Sequence, residues 1–279
     1  MEQLNNGTMS TFLSIIILSY NTKDLTIRCI ESIIEQYRKE LKDRKIEIIV
    51  VDNASTDGSP SAISNLKSQI SNIKLVENKE NFGFAKGCNI GAKAAKGKYI
   101  LFLNSDTQVL DKGFLKMIEF LEKNNYIGIL GGKLLNSDRS PQPSAGKFYT
   151  IFNFLLLIIG GEKFGWLRGS PKQVARADWV SGACFMIGRK LFEKLKGFDE
   201  HFFMYMEDME LCFRGKLLGF PTCFYPDVKI VHQSLGSSNR KFAIKNIDRG
   251  ILYFYKKHKS YWQYLVVKTL LTAKGAIRV

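Results

Sequence analysis

Apolar residues follow two rhythms in the first half of the chain. Short, nearly continuous apolar runs alternate with longer stretches in which apolar side chains return every three or four positions. FLSIIIL (Phe12–Leu18), IEIIVV leading to Asp52, NIKLVEN and KYILFLN are runs of the first kind, as expected of strands buried on both faces. Between them, the stretch after SYNTKD puts Leu25, Ile30, Ile33, Ile34, Tyr37 and Leu41 on one helical face. NASTDGSP is a turn cluster. GFAKGCNIGAKAAKG reads as a helix whose small residues allow close approach to a sheet, with Gly97 ending it. Asp111 reads as the N-cap of a helix carrying Phe114, Ile118 and Leu121, followed by the strand IGIL. Such alternation predicts an α/β fold with a parallel, doubly wound sheet.

The second half is less regular. A polar loop, NSDRSPQPSAGK, leads to the apolar IFNFLLLII from Ile151. WVSGACFMIG reads as a strand. MEDMELCFRGKLLG reads as a helix with Met206, Met209, Phe213 and Leu217 on one face, and PTCFYPDVKIVHQ contains a last strand. From about Asp248 the tail mixes aromatic and basic residues, and no internal repeat is present.

Composition adds one unusual feature. With 45% hydrophobic and 24% charged residues the chain is an ordinary globular sequence, but its formal charge is +15. Such a charge suits nucleic acid, an anionic membrane surface or a phosphate-bearing ligand. The five cysteines form no CxxC pair, so neither a disulfide framework nor a zinc site is expected, and a reducing cytosol fits. FLSIIIL leads into polar SYNT rather than a cleavage site, and IFNFLLLII is well short of the ~20 residues of a spanning helix. A soluble or peripheral protein is expected.

The chemistry is expected at the strand tips, where open parallel sheets bind ligands. No GxGxxG turn or GxxxxGK[ST] loop follows a strand, which argues against dehydrogenases and P-loop enzymes. Polar groups end the strands instead: Ser19-Tyr20-Asn21, Asp52-Asn53, Asn78 and Asn81, then Asn104-Ser105-Asp106. Turn and capping chemistry accounts for any one of these, less well for four in succession. Glu207 and Asp208 open a predicted helix, where the dipole alone favours one acid but does not call for two. His232 ends a strand beside the Ser- and Gly-rich QSLGSS, and both a structural and a ligand role suit it.

The segments SIIILSYN, VVDNASTDGS, NFGFAKGCNIGAKAAKGKYILFLNSD, WVSGACFMIG, GFDEHFFMYMEDMELCFR and IVHQSLGSS together resemble a family 2 glycosyltransferase. Within that family they are most similar to the rhamnosyltransferase-like members of bacterial cell-surface polysaccharide synthesis. The resemblance runs in order from Thr11 to His232. It implies a GT-A fold and an inverting sugar transfer, rhamnose favoured, from a dTDP- or UDP-sugar with a divalent cation, Mg²⁺ or Mn²⁺. By the same resemblance, residues 1–11 are an N-terminal extension, 12–235 the catalytic domain and 236–279 an aromatic and basic helical tail.

Residue by residue, Asp52 matches the acid that bonds the pyrimidine, and Ser19, Tyr20 and Asn21 the loop around the nucleoside. Asn53, Gly83, Lys86 and Asn89 complete the implied nucleotide set, with Asn104 and Ser105. Asn104-Ser105-Asp106 stands where the family has DxD and departs from it in its first residue. Asp106 and His232 match the metal ligands. Asp208 matches the general base, with Glu207 beside it as the alternative. Trp179, Gly182 and Ala183 fall in the acceptor and donor-sugar region. The chemistry agrees: a hard cation on a diphosphate needs few protein oxygens, and imidazole also suits Mn²⁺.

Three other readings compete. A sugar nucleotidyltransferase also uses an α/β domain with metal-binding acids, but usually needs a Gly-rich loop where SYNT stands. A nucleic-acid-binding module would need a basic stripe with stacking aromatics, which only the tail approaches. A non-catalytic glycan-binding protein would not need Asp106, Asp208 and His232. The resemblance further implies a polyprenyl-diphosphate-linked or saccharide acceptor and attachment to the cytoplasmic face of the plasma membrane. IFNFLLLII and the tail would then lie at headgroup level, the alternative being that both pack on the domain.

Overall fold

The computed structural model describes residues 11–70, 72–160, 165–233, 240–273 and 275. The expected N-terminal extension, Thr11 excepted, lies outside the described residues, as do most of the QSLGSS segment and the first residues of the tail. In chain order the elements are β1 (Leu13–Ser19), α1 (Lys23–Lys42), β2 (Ile46–Asp52), α2 (Ser59–Gln69), β3 (Ile73–Glu77), α3 (Gly83–Ala94), β4 (Tyr99–Asn104), β5 (Thr107–Val109), α4 (Gly113–Lys123) and β6 (Ile129–Leu135). They continue with β7 (Pro141–Gln142), β8 (Ala145–Gly146), α5 (Ile151–Ile158), β9 (Arg168–Gly169), β10 (Ala175–Ala177), β11 (Trp179–Val180), β12 (Cys184–Gly188), α6 (Arg189–Lys194), α7 (Glu207–Leu217), β13 (Thr222–His232), α8 (Arg240–His258) and α9 (Tyr261–Ala273).

The main sheet runs β10-β13-β6-β12-β4-β1-β2-β3. β1 pairs in parallel with β2 and β4, and β2 with β3. β12 is reversed between β4 and β6, and β6 and β13 run parallel. The long strands other than β12 thus share one direction, and the polar tips of β1, β2, β3 and β4 emerge at one edge. The nearly continuous apolar runs follow from burial on both faces. Leu13, Ile15 and Ile17 join a core with Cys29, Ile30 and Ile33 of α1, while Ile16 joins a second core with Ala85 and Cys88 of α3.

Several local expectations change. SAISNLKSQ forms α2, which the pattern did not reveal because Ile63 is its one fully buried apolar side chain. WVSGACFMIG is two strands: β11 joins a small sheet with β8 and β9, β12 joins the main sheet, and Ser181–Ala183 turn between them. Gly97 does not close α3, which ends at Ala94; it lies against β1, where a Cβ would stand 2.5 Å from the Ser14 nitrogen. The Asp111 carboxylate accepts from the Gly113 N–H at 2.8 Å, although the cap position itself is Lys112. Leu217 is 67% exposed and leaves the buried face of α7.

The tail is helical and reaches the second core. Ile251, Phe254 and Tyr255 of α8 are fully buried there, and the Tyr255 hydroxyl donates to the Tyr149 carbonyl at 2.8 Å. Among the described residues no helix is long and apolar enough to cross a membrane.

Candidate active site

A cavity of ≈ 390 Å³ opens beyond the tips of β1 and β4. Tyr20, Asn104, Ser105, Asp106, Trp179, Gly182, Ala183, Glu207, Asp208 and His232 all line it. These residues come from both halves of the chain. Registry explains the convergence: β4 ends beside β1 with Leu18 opposite Asn104, and β13 brings His232 opposite Thr107 of β5.

At one end, Asp106 Oδ1 lies 3.3 Å from His232 Nε2, and Asn104 Nδ2 lies 3.2 Å from the same nitrogen. His232 Nδ1 is 2.7 Å from Gln142 Oε1. The orientation of that amide follows from its Nε2, which donates to Asn136 Oδ1 and the His232 carbonyl. Nδ1 therefore donates to Gln142, which fixes the ring and leaves Nε2 facing the cavity beside the Asp106 carboxylate, a position from which it could ligate a cation. Among the described residues no three His, Cys, Asp or Glu side chains gather into an all-protein metal cage. One carboxylate and one imidazole still fit a cation that takes its remaining ligands from diphosphate oxygens and water.

The second group is the start of α7. Asp208 Oδ2 accepts from the Gly182 N–H at 2.9 Å, and Oδ1 accepts from its neighbour Met209 N–H at 2.7 Å. Burial raises its pKa above the usual aspartate value, while the two N–H groups and then Arg168 pull it back. Glu207 has less help, from its own backbone N–H alone. Burial, and then the adjoining Asp208 charge, push it well above the ordinary glutamate value, and its Oε2 is buried without a hydrogen-bond partner. Burial thus shifts both acids toward the neutral form, Glu207 the further, while Asp208 keeps two N–H donors that favour its carboxylate.

The backbone that presents them is strained. Tyr205 and Met206 both have left-handed backbone, φ 70° and 74°, at a cost of roughly 1–2 kcal/mol each. Packing holds them, since Met206 is 6% exposed and lies against Gly250 of α8, where a Cβ would stand 2.8 Å from Met206 Cγ. Behind Asp208, the buried Glu210 accepts from Arg214, Lys257 and His258, so α8 is also tied to α7 by charge.

The residues expected to hold the nucleotide, at the strand tips and on α3, divide into two kinds. Asp52 is 1% exposed; Oδ2 accepts from the Ser55 N–H at 2.8 Å, and Oδ1 is buried without a partner. A buried carboxylate oxygen with no donor is costly, and a ligand N–H would satisfy it. Asn53 is otherwise engaged: Nδ2 donates to Asn81 Oδ1 and the Gly83 carbonyl, and Oδ1 accepts from Asn78 at 2.7 Å. Asn89 bonds both backbone polar groups of Phe198, and Ser19 is buried in a hydroxyl chain with Thr22 and Thr26. Asn21 accepts from the Thr56 N–H at 2.8 Å and joins two loops. Gly83, at φ 78°, adjoins Phe203, whose carbonyl oxygen would lie 2.3 Å from a Cβ. The Lys86 ammonium stands 3.8 Å from the centre of the Phe82 ring. None of these seven side chains or backbones lines the cavity.

Residues 14–209 match the model of Glycosyl transferase family 2. The chain belongs to that family. Relatives include the N-acetylglucosaminyl-diphospho-decaprenol L-rhamnosyltransferase of Mycobacterium tuberculosis, 23% identical over 79% of this chain and 78% of its own. Rhamnosyltransferase WbbL of Escherichia coli K12 is 25% identical over 84% of this chain and 97% of its own. Among solved structures, GalNAc-T7 with UDP, GalNAc and Mn²⁺ has a TM-score of 0.64 at 19% identity, covering 88% of this chain and 50% of that one. The Pyrobaculum calidifontis mannosyltransferase with GDP-Man and Mn²⁺ has a TM-score of 0.62 at 18% identity, covering 97% and 76%. The family 2 resemblance and the GT-A fold are both borne out.

Sequence reasoning missed Gln142, Arg168 and the Tyr205–Met206 turn. Gln142 sits on a two-residue strand inside a polar loop, and Arg168 was one basic residue among many. No pattern marks a residue of positive φ other than glycine.

Proposed function

We propose that this glycosyltransferase is inverting and metal-dependent, and moves a sugar from a dTDP- or UDP-sugar to a saccharide or lipid-linked saccharide. The observation that carries the reading is one cavity shared by the Asp106–His232 pair and by Asp208, two acidic centres with different surroundings. Rhamnose is the favoured sugar, supported by the two rhamnosyltransferase relatives. The printed name of the mycobacterial relative supports a prenol-diphosphate-linked acceptor.

Asp106 and His232 would hold a divalent cation, Mg²⁺ or Mn²⁺, which when bound neutralises charge on the departing diphosphate. Asp52 Oδ1 accepts the imide N–H of uracil or thymine. The Asp208 carboxylate takes the proton of the acceptor hydroxyl as that oxygen bonds to the anomeric carbon. The bond from that carbon to the diphosphate oxygen breaks on the opposite face, so configuration inverts and nucleoside diphosphate leaves. The Gly182 N–H holds the carboxylate in place throughout.

The enzyme would work at the cytoplasmic face of an anionic membrane. Exposed Phe152 and Ile159 on and beside α5, and Tyr261 and Trp262 on α9, support peripheral contact. Sedimentation with anionic vesicles checks this, and protein left in the supernatant at low salt overturns it. The reading as a whole is tested by thermal shift with dTDP-rhamnose, UDP-glucose, UDP-galactose, UDP-GlcNAc and GDP-mannose, each with Mn²⁺. A true donor at a hundredfold over its Kd adds about 2.7 kcal/mol of stability. No shift with any donor, UDP or dTDP sinks the assignment.

A further inference from the structure

We propose that Arg168, with Lys147 and Arg176, binds a phosphate-bearing group of the acceptor. The proposal rests on the glycosyltransferase reading and adds a second recognition site to it. Arg168, on β9, lines the catalytic cavity and also an adjoining cavity of ≈ 520 Å³. Lys147 and Arg176 line the second cavity.

The guanidinium is short of partners. Its Nε is buried without a hydrogen-bond acceptor, and its carbon stands 5.3 Å from the centre of the Trp179 ring. Among the described residues Arg168, Lys147 and Arg176 enter no ion pair, whereas Lys216 on the same cavity is held by Asp178 at 2.9 Å. An N–H taken from water without an acceptor is unfavourable, and an arriving oxyanion removes that cost. A guanidinium presents paired donors that match two phosphate oxygens, and three cations around one cavity suit more than one negative charge.

Position distinguishes acceptor from donor. The donor diphosphate belongs with Asp106 and His232, whereas Arg168 acts electrostatically on Asp208, the group that meets the acceptor hydroxyl. A diphosphate joined to the acceptor sugar would enter the second cavity while the sugar hydroxyl stays at Asp208.

The test is calorimetric titration of the full chain, saturated with UDP and Mn²⁺, using geranyl diphosphate and, as uncharged control, octyl glucoside. Geranyl diphosphate should bind the wild type, and Arg168→Gln should weaken it by about tenfold to a hundredfold. The octyl glucoside signal and the affinity for UDP should not change. The paired surface change Lys147→Ala with Arg176→Ala should weaken geranyl diphosphate and reduce its salt dependence, and it serves if Arg168→Gln fails to fold. Wild type that ignores geranyl diphosphate, or variants that bind it equally, overturn the proposal. So does an equal loss of UDP affinity in Arg168→Gln, which would move Arg168 to the donor. Failure of the wild type to bind UDP at all strikes the glycosyltransferase chemistry instead.

Discussion

Asp208→Asn separates base catalysis from architecture. Asparagine keeps the size of the side chain but exchanges one oxygen for an N–H₂, which then faces either the Gly182 or the Met209 N–H. One lost bond costs about 1–3 kcal/mol, set against a typical stability of ~5–15 kcal/mol, so the chain stays folded. Losing the proton acceptor costs ~10²–10⁴ in rate, or about 3–5 kcal/mol of barrier. Glu207→Gln makes the opposite case. Burial and Asp208 favour the neutral form of Glu207, which an amide mimics, so initial rates should stay within about threefold. The assay is initial-rate transfer to one acceptor by both variants, with donor affinity measured separately. For the wild type, kcat/KM should fall as pH drops through the Asp208 pKa, which lies above 3.8. If Asp208→Asn keeps most activity and Glu207→Gln loses it, the base is one residue back. Two active variants refute the mechanism.

Three further outcomes are expected. Asp106→Ala should abolish the Mn²⁺-dependent part of UDP binding with little change in Tm, and equal calorimetric affinity with wild type would remove Asp106 from the metal site. Glu210, fully buried among Arg214, Lys257 and His258, has its pKa lowered from 4.5 to about 2 by those partners, which outweigh its burial. A depressed carboxylate stabilises above its unfolded pKa and loses that contribution as pH falls from 4.5 toward 2, on the order of 3 kcal/mol; Tm followed against pH in wild type and Glu210→Gln should show that difference vanish in acid. Gly250→Ala should push Met206 and lower kcat several-fold while UDP affinity holds, and a further Met206→Ala should restore part of it; unchanged kinetics would show that the strained turn does not depend on α8.

What the sequence disclosed followed burial. β1, β2 and β4 are nearly continuous apolar runs, interrupted only by the buried Ser14 and Glu47, because both faces are covered, and such runs are hard to mistake. Asn104-Ser105-Asp106 and His232 stood out because strand ends seldom carry such groups without cause. Asn53 and Asn89 show the limit of that signal: an asparagine that bonds backbone looks the same in sequence as one that bonds ligand, and the structure engages both internally. WVSGACFMIG concealed a change of sheet, because Ser181–Ala183 can turn without a proline or charge to mark it. α2 concealed itself by burying little. Gln142 and Arg168 act through contacts with residues far along the chain, which no local pattern records.

The family match ends at Met209, one residue past the proposed base. Yet much of what fixes that base lies beyond it. Lys257 and His258 hold Glu210 one turn into α7, Gly250 accommodates Met206 at its start, and His232 supplies half of the proposed metal pair. The matched segment thus carries the polar strand tips and Asp208 itself, while the later segment packs against the turn and helix that present Asp208. Strain at Tyr205 and Met206 persists only where packing over-determines it. Here α8 supplies that packing through Gly250, and its Lys257 and His258 also tie it to Glu210 of α7. A tail that buries Ile251, Phe254 and Tyr255 in the second core is therefore joined through α7 to the proposed base, whatever its outer surface meets.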